Sequence, residues 1–284
     1  MLQAKEGWRS FHILNSQHAN VSGAIYFHID ASVARSPLRA TFGSLEFDPD
    51  LYQQIIIDFL KYVERELMLS KVTSITIKHY PIAYHPGNAT LIQDCLQNLN
   101  YQITVSEIDS VIDIHGNDVR KFFHSSHRQM FDKAKAEGLL FRELTIGDLE
   151  KTYRFIDTCQ EEKGYYLSMS LNQVLETADA FPDHVKVFGV FKENEMVAAS
   201  IAIRVRSNVL YDFYHDHHAA FDRISPVVTL IAGLYNYCYD HDIKLLDIGT
   251  SAWNGKPNVG LLQFKRSLGA RPTRKLTFYK ELKQ

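Results

Sequence analysis

Residues 208–239 read NVLYDFYHDHHAAFDRISPVVTLIAGLYNYCY. The aromatic and β-branched run over 208–215 predicts a strand. The polar segment 216–224 predicts a loop. Ser225-Pro226 then opens a long helix through Tyr239, because Ser is a favoured N-cap and Pro fits the first helical position. A strand that delivers its chain to a helix start exposes first-turn amides at the positive end of the helix dipole, which suits an anion. Arg223, just upstream, would add a charged clamp on a phosphate. The commoner use of such a start is plain capping beside a surface arginine, and these residues alone leave both open.

Working outward toward the C-terminus, 244–248 predicts a strand that enters a Gly turn in LDIGTS, residues 246–251. Asp247, at the end of that strand, either faces a crevice of an open α/β sheet or pins the turn by hydrogen bonds. A short helix over 257–268, capped near Gly269, carries Phe264 and Lys265. A lysine there is either a solvated charge or a stabiliser of negative charge in a pocket. A final strand follows over 275–279.

Toward the N-terminus, strands are predicted over 185–191 and 196–205, with turns at Glu193-Asn194 and Arg206-Ser207. Helices precede them, from Gly147-Asp148 to about Lys163 and from Ser170 to about Ala180. Tyr165-Tyr166, after the first of these, would serve either as core packing or as an aromatic wall for a substrate. The basic stretch 118–137, DVRKFFHSSHRQMFDKAKAE, predicts a helix ending at Gly138. Its composition makes it the expected hinge. Its His127, Arg128, Lys133 and Lys135 form a solvated basic face or a track for a phosphate backbone. Before it, strands are predicted over 8–14, 21–29 and 38–47, with Gly43 as a bulge. Ile55, Ile56, Phe59, Leu60, Val63 and Leu67 recur at helical spacing and predict a helix over 51–69. A strand over 72–77, a helix over 90–99 and strands over 101–105 and 110–114 complete a mixed first part. The class is α+β, in two domains over 1–117 and 118–284.

Composition bounds the function. Lys+Arg total 31 against 33 Asp+Glu, a formal net charge of −2, which excludes binding nucleic acid by bulk charge alone. Three dispersed cysteines, Cys95, Cys159 and Cys238, argue against a disulfide framework and a Cys-built zinc site. The run Tyr214-His215-Asp216-His217-His218 invites a metal reading, but adjacent histidines of an extended chain point different ways, so no metal is expected and His215 is placed beside substrate instead. Serine-hydrolase, Walker and dinucleotide motifs are absent. The first residues, MLQAKEGWRSFHIL, lack a signal-peptide pattern, and no apolar run approaches the ~20 residues of a membrane span. The expected location is the cytoplasm.

The strand, strand, strand, loop, helix, strand, short helix, strand order resembles that of the GNAT acyltransferases. SPLRATFGSLEF (36–47), SHRQMFDKAKAEGLLFRE (126–143) and PNVGLLQFKRSLGARP (257–272) resemble, in that order, segments of the Fem-like branch, which joins two GNAT-like domains. The resemblance implies tandem GNAT-like domains with mixed central sheets flanked by helices. It implies an acyl or aminoacyl group moved to an amine from acyl-CoA, acetyl-CoA or aminoacyl-tRNA, with no metal or membrane involved. An aromatic-Lys pair beside the reacting ester falls on Phe264 and Lys265. AAFDRISPVV (219–228) lacks the glycines of the usual GNAT pyrophosphate loop. Donor contacts are accordingly placed on Arg223, Ile224, Ser225, Val227 and Tyr214, and substrate contacts on Tyr211, Tyr165 and Tyr166. Asp247 or His215 is the expected proton acceptor. The alternatives are a catalytically inactive GNAT-like protein that binds a ligand or partner, and an RNA binder using the basic helix.

Overall fold

The computed structural model describes residues 6–15, 20–38, 40–253 and 256–283. Met1 to Lys5, part of the segment read for a leader, and Arg39 of the expected strand over 38–47 lie outside them. The chain forms two compact units, one of Met1–Ile108 with Thr273–Gln284 and one of Asp109–Pro272.

The first unit opens with β1 (Trp8–Leu14) and β2 (Val21–Asp30), an antiparallel pair with Trp8 opposite His28. β3 (Val33–Ser36) follows, then β4 (Glu46–Phe47), α1 (Gln53–Leu69), β5 (Ser74–Lys78), α2 (Pro86–Asn98) and β6 (Gln102–Asp113). Its sheet runs β1-β2-β3-β5, then the strand nearest the C-terminus, then β6, with β4 on β2. Ile56, Phe59, Leu60, Val63 and Leu67 form the buried stripe of α1, at the spacing read from the sequence. The helix expected over 90–99 begins earlier, at Pro86. His85 caps it by accepting the Asn88 N–H on Nδ1 at 3.2 Å. The strands expected over 101–105 and 110–114 are one strand, β6.

Of the strand expected over 38–47, the described residues form only a two-residue strand at its end, β4. Buried side chains take over the hydrogen bonding there. Ser36 Oγ accepts the Ser44 N–H at 3.1 Å, and Ser44 Oγ bonds His79 Nδ1 at 2.8 Å. Gly43, expected as a bulge, makes an isolated parallel bridge to His79 instead.

The second unit contains α3 (Ser125–Ala136), β7 (Leu139–Leu144), α4 (Leu149–Glu161), α5 (Leu171–Ala180), β8 (Val185–Lys192), β9 (Glu195–Arg206) and β10 (Val209–His217). It continues with α6 (Pro226–Asp240), β11 (Leu245–Thr250), the small pair β12 (Ala252–Trp253) and β13 (Lys256–Pro257), and α7 (Val259–Ser267). β14 (Arg271–Glu281) then passes into the first unit, where it pairs with β5. From Asp109 onward β6 pairs with β11, and the sheet of the second unit runs on through β10, β9 and β8 to β7.

Two of these elements correct the sequence reading. The helix expected over 118–137 is a 3-10 turn at Val119–Lys121 and then α3, because His124 makes a fresh N-cap by accepting the Ser126 N–H on Nδ1. The helix expected over 257–268 starts at Val259, where Asn258 caps it through the Leu261 N–H at 3.0 Å.

Alternation on β8 and β9 divides the second unit into two layers. Phe188, Val190, Ala198 and Ala202 pack with α6, while Val185, Val187, Ala199 and Ile201 pack with α4 and α5. α6 is buried on nearly every side. It closes onto β7 at Gly233, where an added Cβ would stand 2.1 Å from Phe141 ring atoms. Among the described residues, no helix is long and apolar enough to cross a membrane.

Gly233→Ala therefore forces a methyl into a filled space. The expected cost is about 1–3 kcal/mol, read as a fall of several degrees in Tm by circular dichroism.

Candidate active site

β10 and β11 pair in parallel from Val209↔Leu245 to Tyr211↔Asp247, and no further. Beyond that point β10 stays with β9 and β11 with β6, so different neighbours hold the two strands and they part.

β10 also carries a bulge. Asp212 lies opposite Ala202 and Tyr214 opposite Ile201, which leaves Phe213 as the extra residue. In an unbroken strand, residues three apart face opposite sides. The bulge puts Asp212 and His215 on the same side, the α6 side, opposite Ala202 and Ser200.

There, Ser200 Oγ donates to Asp212 Oδ1 at 2.6 Å, and His215 Nδ1 lies 2.7 Å from Asp212 Oδ2. The Asp212 side chain is fully buried and that of His215 is 30% exposed. Burial pulls the imidazole pKa down. The Asp212 charge and hydrogen bond outweigh it; Lys265 opposes them and Asp216 adds to them, leaving His215 above the ordinary histidine value.

The buried Lys265, on α7, donates from Nζ to the Gly249 and Thr250 carbonyls at 3.0 and 2.9 Å. Asp247 Oδ1 accepts the Gly249 N–H at 2.7 Å. Gly249 has a φ of 77°, a left-handed conformation that favours glycine. Asp247, Gly249 and Lys265 thus build the end of β11. Leu246 and Ile248 face the α6 core, so Asp247 points to the opposite side of the sheet. Phe264 packs against the α6 core and edge-on to His127 at 5.4 Å.

Tyr211 and Tyr214 face the α4 side. The Tyr211 ring lies beside Gly249. Tyr214 Oη bonds Ser168 Oγ at 2.5 Å and accepts the Met169 N–H at 2.9 Å, which tethers the loop after α4. On that loop Tyr165 is 40% and Tyr166 86% exposed, so neither is core packing.

Comparison with known proteins bears on the fold. No protein-family model matches the sequence, and no curated protein does. Among solved structures, FemX superposes with a TM-score of 0.75 at 14% identity, covering 97% of this chain and 89% of that one. L-PGS from Bacillus licheniformis gives 0.65 at 13%, covering 98% and 85%. A tandem GNAT protein from the clavulanic acid biosynthesis pathway gives 0.50 at 12%, covering 98% and 84%. The fold is the Fem-like tandem GNAT fold.

Within this fold, the loop between β10 and α6 departs from the sequence reading. A 3-10 helix spans Ala219–Ile224, capped by His218. Ser225 is left-handed (φ 50°, ψ 59°), and its side chain makes no capping bond. The Ser225 backbone breaks the 3-10 helix from α6 instead. Arg223 is exposed, Ile224 and Val227 pack against the α6 core, and the Arg223 carbonyl accepts from Lys133 Nζ at 3.2 Å. The basic face of α3 therefore reaches the start of α6, a non-local contact without a sequence signal. The three histidines of the 214–218 run diverge, to Asp212, to Asp222 and to the 3-10 cap. No group of three or more metal-ligating side chains occurs among the described residues.

Lys163 and the His217 backbone N–H, the latter at 2.7 Å, both donate to Asp216 Oδ1. Burial raises the Asp216 pKa, but the hydrogen bonds from His217 and Lys163 prevail and hold it below the ordinary carboxylate value. A depressed carboxylate stabilises the fold above its unfolded pKa, and that contribution is lost as pH falls through the folded value. Lys163→Met raises the folded pKa toward the unfolded value, so the variant should be less stable near neutral pH and should lose less further stability on acidification than the wild type. Melting curves from about pH 7 down to about pH 3 check this.

Proposed function

We propose that the protein is an N-acyltransferase that moves an acyl group from a phosphate-bearing donor to a primary amine. The observation that carries the reading is the parting of β10 and β11 beyond Tyr211 and Asp247 in a Fem-like tandem GNAT fold. In this reading the donor lies between the parted ends of the two strands and extends toward the start of α6.

The donor's phosphates dock at the α6 start, where Arg223 and Lys133 supply positive charge beside the first-turn amides. Ile224, Ser225 and Val227 shape that end of the donor's path. The acyl carbonyl lies where the strands part. The acceptor enters past the exposed Tyr165 and Tyr166 and the tethering Tyr214.

The neutral amine attacks the carbonyl carbon, and the π pair moves to oxygen. The buried ammonium of Lys265 stabilises that charge through its field, since its Nζ also holds the Gly249–Thr250 turn. Collapse re-forms the carbonyl and breaks the bond to the leaving group, a CoA thiolate or a tRNA hydroxyl, which takes up a proton. The proton lost by the nitrogen passes to a protein base. Phe264 braces the helix that carries Lys265.

Acyl-CoA is mildly favoured over aminoacyl-tRNA because a net charge of −2 does not draw in nucleic acid by bulk charge. The alternative is a protein of this fold that binds the donor without turning it over.

The test is thermal shift against CoA, acetyl-CoA and longer acyl-CoAs. A ligand at 100 times its Kd adds about 2.7 kcal/mol, so Tm should rise by several degrees and Arg223→Ala should reduce the rise. Labelled donor is then mixed with a panel of amino acids, aminosugars and polyamines. Lys265→Ala should cut single-turnover transfer about 100-fold. Binding without transfer to any amine would favour the inactive binder, and no shift with any CoA would move the search to aminoacyl-tRNA.

A further inference from the structure

Two candidates for the proton acceptor stand near the end of the parallel pairing, and the structure separates them. Asp247 is fully buried and accepts the Gly249 N–H that builds the end of β11. His215 is partly exposed and reaches a buried carboxylate through one ring nitrogen only.

We infer that Ser200 and Asp212 are positioning residues that hold His215 with Nδ1–H toward Asp212 and Nε2 as the nitrogen that takes the acceptor's proton. The inference rests on the acyltransferase reading. Its geometric basis is the Phe213 bulge, which brings Asp212 and His215 to one side, and the placing of the carboxylate, with Oδ1 accepting from Ser200 and Oδ2 lying 2.7 Å from His215 Nδ1. Among the described residues, nothing hydrogen-bonds His215 Nε2. An ionised carboxylate with no solvent exposure persists only when its oxygens are partnered, and Ser200, itself buried, supplies that second partner. A histidine that donates Nδ1–H to a carboxylate is fixed as the tautomer whose Nε2 lone pair is available.

The step balances as follows. The acceptor ammonium gives one proton to solvent to reach the neutral amine. After attack, the N–H of the tetrahedral adduct gives a second proton to His215 Nε2, and the imidazolium returns it to the leaving group. No redox partner is involved.

The charged groups acting on the imidazole are Asp212 and Asp216 on β10 and Lys265 on α7. Asp212 and Asp216 favour the protonated ring and Lys265 disfavours it. His215 is therefore the competent base above its raised pKa, and transfer should rise with pH through that value. Replacing Asp212 by a neutral isostere lowers the pKa and moves the limb to lower pH.

The test has two arms on the full chain. Histidine 15N–1H correlation spectra, with the His215 signal assigned by its loss in His215→Gln, report tautomer and pKa without any donor or acceptor. The expected result is an Nδ1–H tautomer that titrates above the usual histidine value, with a lower pKa in Asp212→Asn. The second arm follows single-turnover transfer from acetyl-CoA to the amine found in the panel, against pH. Asp212→Asn should lower the plateau about 100-fold and shift the limb, while its acetyl-CoA thermal shift stays at the wild-type value. His215→Gln, at a partly exposed site, should remove the limb; it guards against misfolding of the buried variant.

An Nε2–H tautomer, or transfer with an unaltered limb and plateau in Asp212→Asn and His215→Gln, would overturn the inference while leaving the acyltransferase reading intact. If the tautomer and titration are as expected but no CoA or aminoacyl-tRNA donor supports transfer, the acyltransferase reading fails. The proton-accepting role then fails with it.

Discussion

One extra residue in β10 sets the chemistry of the second unit. Phe213 has no partner of its own across β9, and its insertion rotates everything that follows by one side of the sheet. Before it, Asp212 faces α6; after it, His215 does too, and Tyr214 turns to α4. Without the bulge, His215 would face the apolar layer under α4 and α5, and Asp212 would be a buried carboxylate lacking its imidazole. The same insertion sends Tyr214 to the loop after α4, where its hydroxyl meets Ser168 and Met169.

The charges around this strand illustrate how a protein keeps ions in a dry interior. Asp212 lies between a hydroxyl and an imidazole, Asp216 takes an ammonium and a backbone N–H, and Lys265 lies on two carbonyls. Each group has polar contacts that make its ionised form tolerable. Lys265 is fixed to the backbone it braces, so the ammonium and the end of β11 form a single rigid element. Gly249 allows this, because its left-handed backbone aims the carbonyl at the lysine and the N–H at Asp247.

Much of the fold was legible in residue periodicity. The stripe of α1, the positions of β8 and β9, and the Ser225-Pro226 helix start were all read from local patterns, and three short segments pointed to the Fem-like branch. The misreadings have two physical causes, contacts from distant parts of the chain and local side-chain caps. The strand expected over 38–47 keeps only its end, β4, because Ser36, Ser44 and His79 bond one another. The basic helix breaks because His124 supplies a cap that the charge pattern conceals. The site was less legible than the fold. Strict alternation through YDFYH would place Tyr211, Phe213 and His215 together, and only the register against β9 shows that His215 joins Asp212 and Ser200. Neither Ser200 nor Asp212 carried a signal of its own: one is a small residue in an apolar strand, the other an acid in an aromatic run. The reach of Lys133 to the Arg223 carbonyl spans 90 residues, beyond any local pattern.

The order of elements along the chain also governs how the molecule is made. β14 fills the place between β5 and β6 in the first unit, yet it is encoded after the whole of Asp109–Pro272. A ribosome therefore releases a contiguous second unit, able to condense as it emerges, while the first still lacks an interior strand. Throughout that interval β5 keeps an unpaired edge carrying Ile75 and Ile77, two side chains that are buried in the finished protein. The nascent chain is most vulnerable to mispairing with other chains during this delay, and chaperone engagement during synthesis would concentrate on residues 74–78.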